Sequence, residues 1–167
     1  MVRRPGPREQ GEPLPLQPRH KIPISVLVVI HDPALNVLLL ERADRPGFWQ
    51  SVTGSLDAPD EDLRTAALRE VAEETGLVAA PEDLRDWQHS TVFEIYGHWQ
   101  ARYGPGVTHN TEHTFSLGVP LGARAVVAPR EHLGFAWLPW QQAAAKCFSP
   151  SNRDAILRLP EILSSPG

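Results

Sequence analysis

The sequence is poor in several features that define large classes of protein. It contains one cysteine, Cys147, among 167 residues. A single thiol excludes an internal disulfide and a metal site built from paired cysteines, and it suits a reducing cytoplasm. The longest apolar run, ISVLVVI at residues 24–30, is much shorter than the roughly 20 residues of a transmembrane helix. We therefore predict a cytoplasmic protein that does not enter the membrane.

An excess of positive charge is also missing. The formal net charge is −4, so no general basic field attracts nucleic acid or an anionic membrane. A phosphate-rich ligand would have to be a small molecule held by local cations or by bound metal. Nothing in the composition predicts an obligate protein partner.

Proline, in contrast, is abundant at the start of the chain. Residues 1–20 contain five prolines and no continuous apolar segment. This composition is typical neither of a secretory signal nor of a packed element, and it predicts a disordered extension. A basic functional tail is the alternative, although Glu9 and Glu12 dilute its arginines. The remainder, residues 21–163, has the length of one domain.

The order of apolar and polar segments predicts strands, one helix, more strands and then two helices. The strongest helix covers residues 61–75, with Asp57 or Asp60 as its N-cap and Gly76 as its C-cap. The predicted strands lie at 21–32 and 37–44, joined as a hairpin, and then at 47–55 and 112–121. Residues 84–103 are predicted as one long strand or two, and residues 129–139 as a loop followed by a strand. The last helices lie at 140–147 and at 151–159, the second capped by Ser151. This order predicts a mixed α/β sandwich.

Three carboxylates share one face of the strongest helix. At 100° per residue, Glu74 lies about 40° to one side of Glu70 and Glu73 lies about 60° to the other. The apolar stripe of the helix includes Ala66 and Ala67 and runs along the same face. The three acids are therefore predicted to point toward the body of the protein.

Partly buried carboxylates this close together require compensation, because desolvation and mutual repulsion both disfavour their charged forms. The compensation is either a raised pKa or a divalent cation. Several hard oxygen ligands suit Mg²⁺, with Mn²⁺ as a substitute, and such ions commonly bind substrate phosphates. The alternative is a solvated helix whose acids form local ion pairs with Arg64 and Arg69.

Residues 54–77, GSLDAPDEDLRTAALREVAEETGL, resemble the Nudix hydrolase signature G-x5-E-x7-R-E-U-x-E-E-x-G-U, where U is aliphatic. All positions from Glu61 to Leu77 match, and Gly54 is one residue farther from Glu61 than the signature has it. The resemblance implies the Nudix fold, a mixed β-sheet packed between helices in an α/β/α sandwich. It also implies hydrolysis of a substituted nucleoside diphosphate by attack of water at phosphorus.

The signature implies roles for particular residues. Arg69 and Glu61 would form an ion pair that braces the loop against the helix. The implied ligands of Mg²⁺ are Glu70, Glu73 and Glu74, with the Gly54 carbonyl as a further ligand. Glu131, in the later loop, resembles the additional glutamate of the family, which is a metal ligand or the general base. One of the helix acids is the alternative base.

Segments outside the signature, spread over residues 21–158, resemble the bacterial dihydroneopterin triphosphate pyrophosphohydrolases. That group cleaves dihydroneopterin triphosphate to the monophosphate and pyrophosphate in folate biosynthesis. A Nudix pyrophosphatase acting on (d)NTPs is the alternative, because it uses the same helix. A non-catalytic Nudix-fold binding module is a third possibility, against which the complete set of signature acids argues.

The same resemblance implies the substrate-binding residues. Lys21 and Arg42 would contact the triphosphate, Thr53 would donate to the substrate, and Ser149 would close the site. The pterin pocket would be lined by Phe93, Glu94, Ile95 and Tyr96, with Glu94 facing the donor edge of the ring.

Each of these assignments has a structural alternative. Lys21 and Arg42 could be surface charges, and Ser149 could be a helix cap. Strand alternation places either Phe93 and Ile95 or their two neighbours in the core. Trp49 is the tryptophan we expect at the edge of the pocket, and the histidines are predicted to be structural or exposed.

Overall fold

The computed structural model describes residues 20–166. Of the predicted extension, residues 1–20, only His20 lies within the described residues. Within residues 20–166 the chain forms one seven-stranded sheet and three α-helices. The strands are β1 Ile24–His31, β2 Asn36–Arg42, β3 Trp49–Gln50, β4 Val52–Ser55, β5 Leu84–Glu94, β6 His109–Gly118 and β7 His132–Pro139. The α-helices are α1 Leu63–Thr75, α2 Trp140–Lys146 and α3 Pro150–Ser164.

The sheet is mixed and is built around β1. Its main path is β3-β2-β1-β6-β5, while β4 pairs with β1 and β7 pairs with β2. Strands β1 and β6 run parallel along the whole of β1. The predicted hairpin of β1 and β2 is present, but only His31 and Val37 are paired across it. Beyond that pair the two strands diverge, and each takes different partners.

The alternation of β1 explains the layers. Val26, Val28 and Ile30 pack with Ala66, Ala67 and Val71 of α1. Leu27 and Val29 face the opposite side, where α2 and α3 contribute Ala143, Ala144, Ala155, Ile156 and Leu159. Helices therefore cover both faces of the sheet, which is why β1 is a continuous apolar run. The predicted α/β/α sandwich is confirmed.

The ends of α1 correct one prediction and confirm another. Asp62, rather than Asp57 or Asp60, is the N-cap, because the helix begins only at Leu63 and the Asp62 carboxylate accepts from the Thr65 amide at 3.2 Å. Gly76 ends the helix in the left-handed region with φ of 70°. This is the C-cap conformation that glycine adopts at least cost.

Two further predictions are wrong in detail. The segment 84–103 is a strand only to Glu94 and then forms a 3-10 helix, Gly97–Arg102. Ser151 does not cap α3, because the helix begins at Pro150 and Ser149 occupies the N-cap position. No helix within residues 20–166 has the length and apolarity needed to cross a membrane.

Candidate active site

One cleft of about 1370 Å³ collects the residues that the sequence singled out. They come from both ends of the chain, from α1, from the strands on either side of β1 and from the loop before β7. The predicted residues that line the cleft are Lys21, Arg42, Thr53, Gly54, Arg69, Glu70, Glu73, Glu74, Phe93, Glu94, Ile95, Tyr96, Glu131 and Ser149. Their convergence from distant parts of the sequence identifies this cleft as the candidate site.

The three acids of α1 are not equally buried. Glu74 is 5% exposed, and the side chain of Glu70 is 12% exposed. The side chain of Glu73 is 57% exposed, so the prediction that all three acids point inward is wrong for this residue. Glu73 lies at the rim of the stripe, where the helix surface turns from the sheet toward water.

Strand β4 lies directly against these acids. The Thr53 amide donates to Oε2 of Glu74 at 3.2 Å. At Gly54 there is no room for a side chain, because an added Cβ would overlap the carboxylate of Glu70. An added side chain would therefore force the Glu70 carboxylate to move, and the place of Gly54 in β4 brings the backbone next to the acids.

Arg69 holds the acidic wall together. Its guanidinium contacts both oxygens of Glu61, at 3.0 and 2.9 Å, so the predicted ion pair is present. The same group donates to Glu70 at 2.7 Å and to the carbonyl of Ser55 at 3.2 Å. This bidentate geometry fixes the loop before α1 relative to Glu70. It does so even though that loop is one residue longer than in the signature.

A second group of potential ligands joins the α1 acids from the start of β7. Glu74, Glu131 and His132 offer ligand atoms that lie within 4.8 Å of one another. His132 is buried, its Nε2 is 3.7 Å from Oε1 of Glu74, and its Nδ1 has no partner among the described residues. This histidine was not among the predicted site residues, although its position directly after Glu131 was a usable signal.

Burial and crowding raise the pKa of both inward-facing acids. Burial is the main cause for Glu70, whose pKa rises to about 7 despite the stabilising contact with Arg69. Burial also raises the pKa of Glu74 well above its ordinary value, and the negative charges of Glu70 and Glu131 add to the effect. Burial lowers the pKa of His132, which favours the neutral imidazole.

This donor set fits a divalent cation. Carboxylate oxygens from α1 and from the loop before β7 converge, and the Gly54 carbonyl belongs to the adjacent strand. Within residues 20–166 no lysine or arginine forms a salt bridge with Glu74, and the imidazole of His132 lies 3.7 Å from it. Oxygen ligands in this number suit hard ions of the Mg²⁺ type. A cation would also relieve the repulsion that raises the carboxyl pKa values.

Cationic side chains lie elsewhere along the same cleft. Arg42 forms a bidentate ion pair with Asp44 at 2.8 Å, and Arg102 contacts the same carboxylate at 2.8 Å. Lys21 is exposed within the concave cleft, where loss of bulk water, followed by the charges of Arg102 and Arg42, lowers its pKa. Arg42 and Arg102 thus share one carboxylate, and Lys21 adds a third positive charge nearby, which leaves a positive region for an anion.

The predicted pterin-contacting segment has two different sides. Ile95 is 3% exposed and Phe93 is partly buried, whereas Glu94 and Tyr96 are exposed. Tyr96 belongs to an aromatic group at the cleft with Trp99 and Phe148, whose ring centroids are 5.4 and 6.3 Å from its own. Aromatic rings at the mouth of a cleft suit a flat heterocycle.

Three other predictions need adjustment. Trp49 does not line the cleft, because it packs against the part of the core that α2 and α3 form. The Lys146 ammonium lies over its ring, 4.9 Å from the centroid. The Thr53 hydroxyl, which was expected to bond the substrate, donates instead to the carbonyl of Val26 at 3.0 Å. Ser149 makes no side-chain capping bond, and its hydroxyl lies 3.1 Å from that of Ser151.

Comparisons with known proteins agree with this geometry. The family model described as NUDIX domain matches residues 21–159. The dihydroneopterin triphosphate diphosphatase of Escherichia coli K12 is 46% identical over 140 residues, which cover 82% of this chain and 91% of the relative. The enzyme of the same name from Haemophilus influenzae is 40% identical over 135 residues, covering 79% and 84%.

A solved structure extends the comparison to three dimensions. The structure of the E. coli dihydroneopterin triphosphate pyrophosphohydrolase superimposes with a TM-score of 0.77 at 45% identity, covering 83% of this chain and 95% of that one. The family match, over residues 21–159, spans the sheet, α1 and most of the residues that line the cleft. This chain belongs to the Nudix hydrolase family.

Proposed function

We propose that this protein is a Mg²⁺-dependent pyrophosphohydrolase that cleaves dihydroneopterin triphosphate to dihydroneopterin monophosphate and pyrophosphate in folate biosynthesis. We place this activity in the cytoplasm, where the single thiol of Cys147 stays reduced. The observation that carries the proposal is one cleft that combines the signature acids, a cationic region and aromatic rings. The names of relatives that are 40 and 46% identical support the choice of substrate.

The acids of α1 hold the metal in this proposal. The ligands are Glu70 and Glu74, together with Glu73 and the Gly54 carbonyl. Bound Mg²⁺ would supply positive charge to the phosphate oxygens and lower the pKa of the attacking water. Arg69 keeps the carboxylate of Glu70 in position through its contact at 2.7 Å.

The remaining residues bind the two ends of the substrate. Lys21, Arg42 and Arg102 contact the triphosphate and stabilise the charge on the departing pyrophosphate. Glu131 accepts the proton of the attacking water, because it is exposed to the cleft while close to the buried Glu74. Phe93, Glu94, Ile95 and Tyr96 line the pterin end with Ser149, and Thr53 lies at the junction of the two ends.

Product analysis tests the proposal. With Mg²⁺ present, dihydroneopterin triphosphate should yield equal amounts of pyrophosphate and the monophosphate, and a chelator should stop the reaction. Glu74→Gln should lower kcat by at least about a hundredfold, because metal activation supplies several kcal/mol. Near wild-type turnover of this variant at saturating Mg²⁺ would remove Glu74 from the mechanism.

A panel of dNTPs provides the decisive control for substrate class. The same acids and cations could bind any nucleoside triphosphate, so the phosphate end does not discriminate between the two activities. We expect kcat/KM to be higher for dihydroneopterin triphosphate than for every dNTP. An equal or higher value for a dNTP would replace this proposal with a nucleotide pyrophosphatase.

A further inference from the structure

A row of polar side chains forms one wall of the cleft. Ser25 of β1 pairs in register with Glu112 of β6, which pairs in turn with Thr91 of β5. In the next row Asn110 pairs with Phe93. All five residues line the cleft. Side chains in register on neighbouring strands share one face, so Glu112 and Asn110 lie beside the ring of Phe93.

Glu112 is buried with most of its acceptor capacity unused. It is 6% exposed, and Oε1 accepts from the Ser151 hydroxyl at 2.8 Å. Between residues 20 and 166 it forms no salt bridge and no second side-chain hydrogen bond. A carboxylate offers about four acceptor positions, and burying it without donors is costly. Burial accordingly raises the pKa of this carboxyl, which the Ser151 contact only partly offsets.

Asn110 repeats this pattern one row away. It is 2% exposed, and its amide nitrogen donates to the Ser25 hydroxyl at 2.7 Å. Its Oδ1 is buried and has no partner among the described residues. Leaving such an acceptor unpaired is destabilising, because the oxygen loses its hydration without gaining a donor. An unpartnered amide oxygen and a neighbouring carboxylate with one donor, both lining a cleft, indicate a ligand that brings N–H groups.

A pterin base has this chemistry. The 2-amino-4-oxo ring presents its N3–H and its 2-amino group side by side, so that one carboxylate can accept from both. Glu94, the acid expected at this edge, also lines the cleft but is exposed at the end of β5. Water competes for its hydrogen bonds, which weakens its power to discriminate.

We propose that Glu112 is the specificity-determining residue for the base, accepting from the ring N–H and the 2-amino group while Phe93 packs against the ring and Asn110 accepts a further donor. This inference rests on the proposed function and names the base-recognising part of the same cleft. The competing explanation is structural, since Glu112 also anchors the first turn of α3 through Ser151.

Glu112→Gln separates these explanations. Glutamine has the same size and can still accept from Ser151. Its amide nitrogen is a donor, however, and cannot accept from the N–H groups of the pterin edge. Adenine presents one donor and one acceptor, which suit an amide. The ratio of kcat/KM for dihydroneopterin triphosphate to that for dATP should fall about tenfold or more. The Tm should not fall. A purely structural role would lower both kcat/KM values together and lower the Tm.

A second measurement requires no variant. GTP has the same donor edge as a pterin, whereas ITP lacks only the 2-amino group. As competitive inhibitors of the wild-type enzyme, GTP should have a Ki about tenfold or more below that of ITP, because a site built around a donor rejects the analogue that lacks it. Equal Ki values would overturn the assignment of Glu112, whether or not Glu112→Gln folds.

Control measurements distinguish a failure of the Glu112 assignment from a failure of the proposed function. Glu161→Gln, an exposed position on α3, should leave both kcat/KM values unchanged. An unchanged ratio in Glu112→Gln, or a ratio that changes in Glu94→Gln instead, refutes the role of Glu112 while the proposed function stands. Wild-type enzyme that fails to hydrolyse dihydroneopterin triphosphate refutes the proposed function itself.

Discussion

At the scale of a residue, the proposed metal site depends on Gly54 having no side chain. The carboxylate of Glu70 occupies the space in which a Cβ on Gly54 would lie. The Arg69 guanidinium, which is fixed by Glu61, holds that carboxylate from the other side. Glu70 therefore has little freedom to move away from an added methyl group.

Gly54→Ala should weaken metal binding. Displacement of Glu70 changes the donor geometry, and comparable disturbance around a metal ligand costs about tenfold to a hundredfold in affinity. Calorimetric titration with Mn²⁺ measures the effect. Gly134→Ala is the matched control, because a Cβ there meets nothing within 4 Å. Wild-type Mn²⁺ affinity in Gly54→Ala would contradict the steric argument.

The buried Glu112 should make stability depend on pH. Its folded form keeps a proton to higher pH than the unfolded chain, in which the carboxyl titrates near 4.5. As the pH rises above 4.5, the unfolded state loses its proton first, so the free energy of unfolding of the wild type falls. Glutamine does not titrate. The stability of Glu112→Gln relative to wild type should therefore increase from pH 5 to pH 8.

Urea unfolding at several pH values, in the presence of a chelator, measures this difference. The chelator removes metal-dependent changes at the α1 acids from the comparison. A stability difference that stays constant or shrinks with rising pH would show that the buried carboxyl is not the source of the dependence.

At the scale of an element, α1 is defined by its caps as well as by its acids. Asp62→Ala removes the acceptor of the Thr65 amide and should lower the free energy of unfolding by about 1 kcal/mol. Chemical denaturation measures the change. Asp60→Ala, at an exposed position that the sequence alone favoured, should have almost no effect. A larger loss of stability in Asp60→Ala than in Asp62→Ala would place the cap at Asp60.

Most of α1 was predictable because its signals are local. The signature spacing, the apolar stripe and Gly76 all lie within one segment, and the Arg69–Glu61 pair spans eight positions of it. The exposure of Glu73 was not predictable, because it depends on how the helix is rotated against β4. The N-cap was also predicted wrongly. Three aspartates precede the helix, and only the backbone geometry shows that Asp62 is the cap.

Residues outside the motif required the tertiary fold. Arg102 meets Asp44 across 58 positions of sequence, and it does so from a 3-10 turn in a segment predicted as strand. Glu112 and Asn110 form the polar half of the alternation in β6, whose other half includes the buried Phe115 and Leu117. That alternation was a usable signal, but only the pairing with β1 and β5 shows that the polar side faces the cleft.

At the scale of the whole molecule, the fold separates charge within one cleft. Carboxylates from α1 and from the loop before β7 form one region, and Lys21, Arg42 and Arg102 form another. Residues of the two regions alternate along the sequence between Lys21 and Glu131, so the tertiary fold is what brings each set together. A formal net charge of −4 therefore coexists with local attraction for a polyphosphate.

Metal should stabilise the entire fold. An ion that binds only the native state adds about 2.7 kcal/mol when its concentration is about 100 times its Kd. The Tm in Mn²⁺ should therefore exceed the Tm in chelator. Glu74→Gln should lose most of this shift, and Glu161→Gln should keep it. An equal shift in Glu74→Gln would mean that the stabilising ion binds outside the α1 acids.

The guanidinium of Arg42 lies 4.5 Å from the centre of the Trp99 ring. A charge held this close to an indole perturbs its excited state, and a polyphosphate that engages Arg42 will alter that perturbation. Emission from Trp99 should therefore report occupancy of the phosphate end directly, without turnover. Pyrophosphate titrated into wild-type protein should change the emission intensity, and Trp99→Phe should abolish the change.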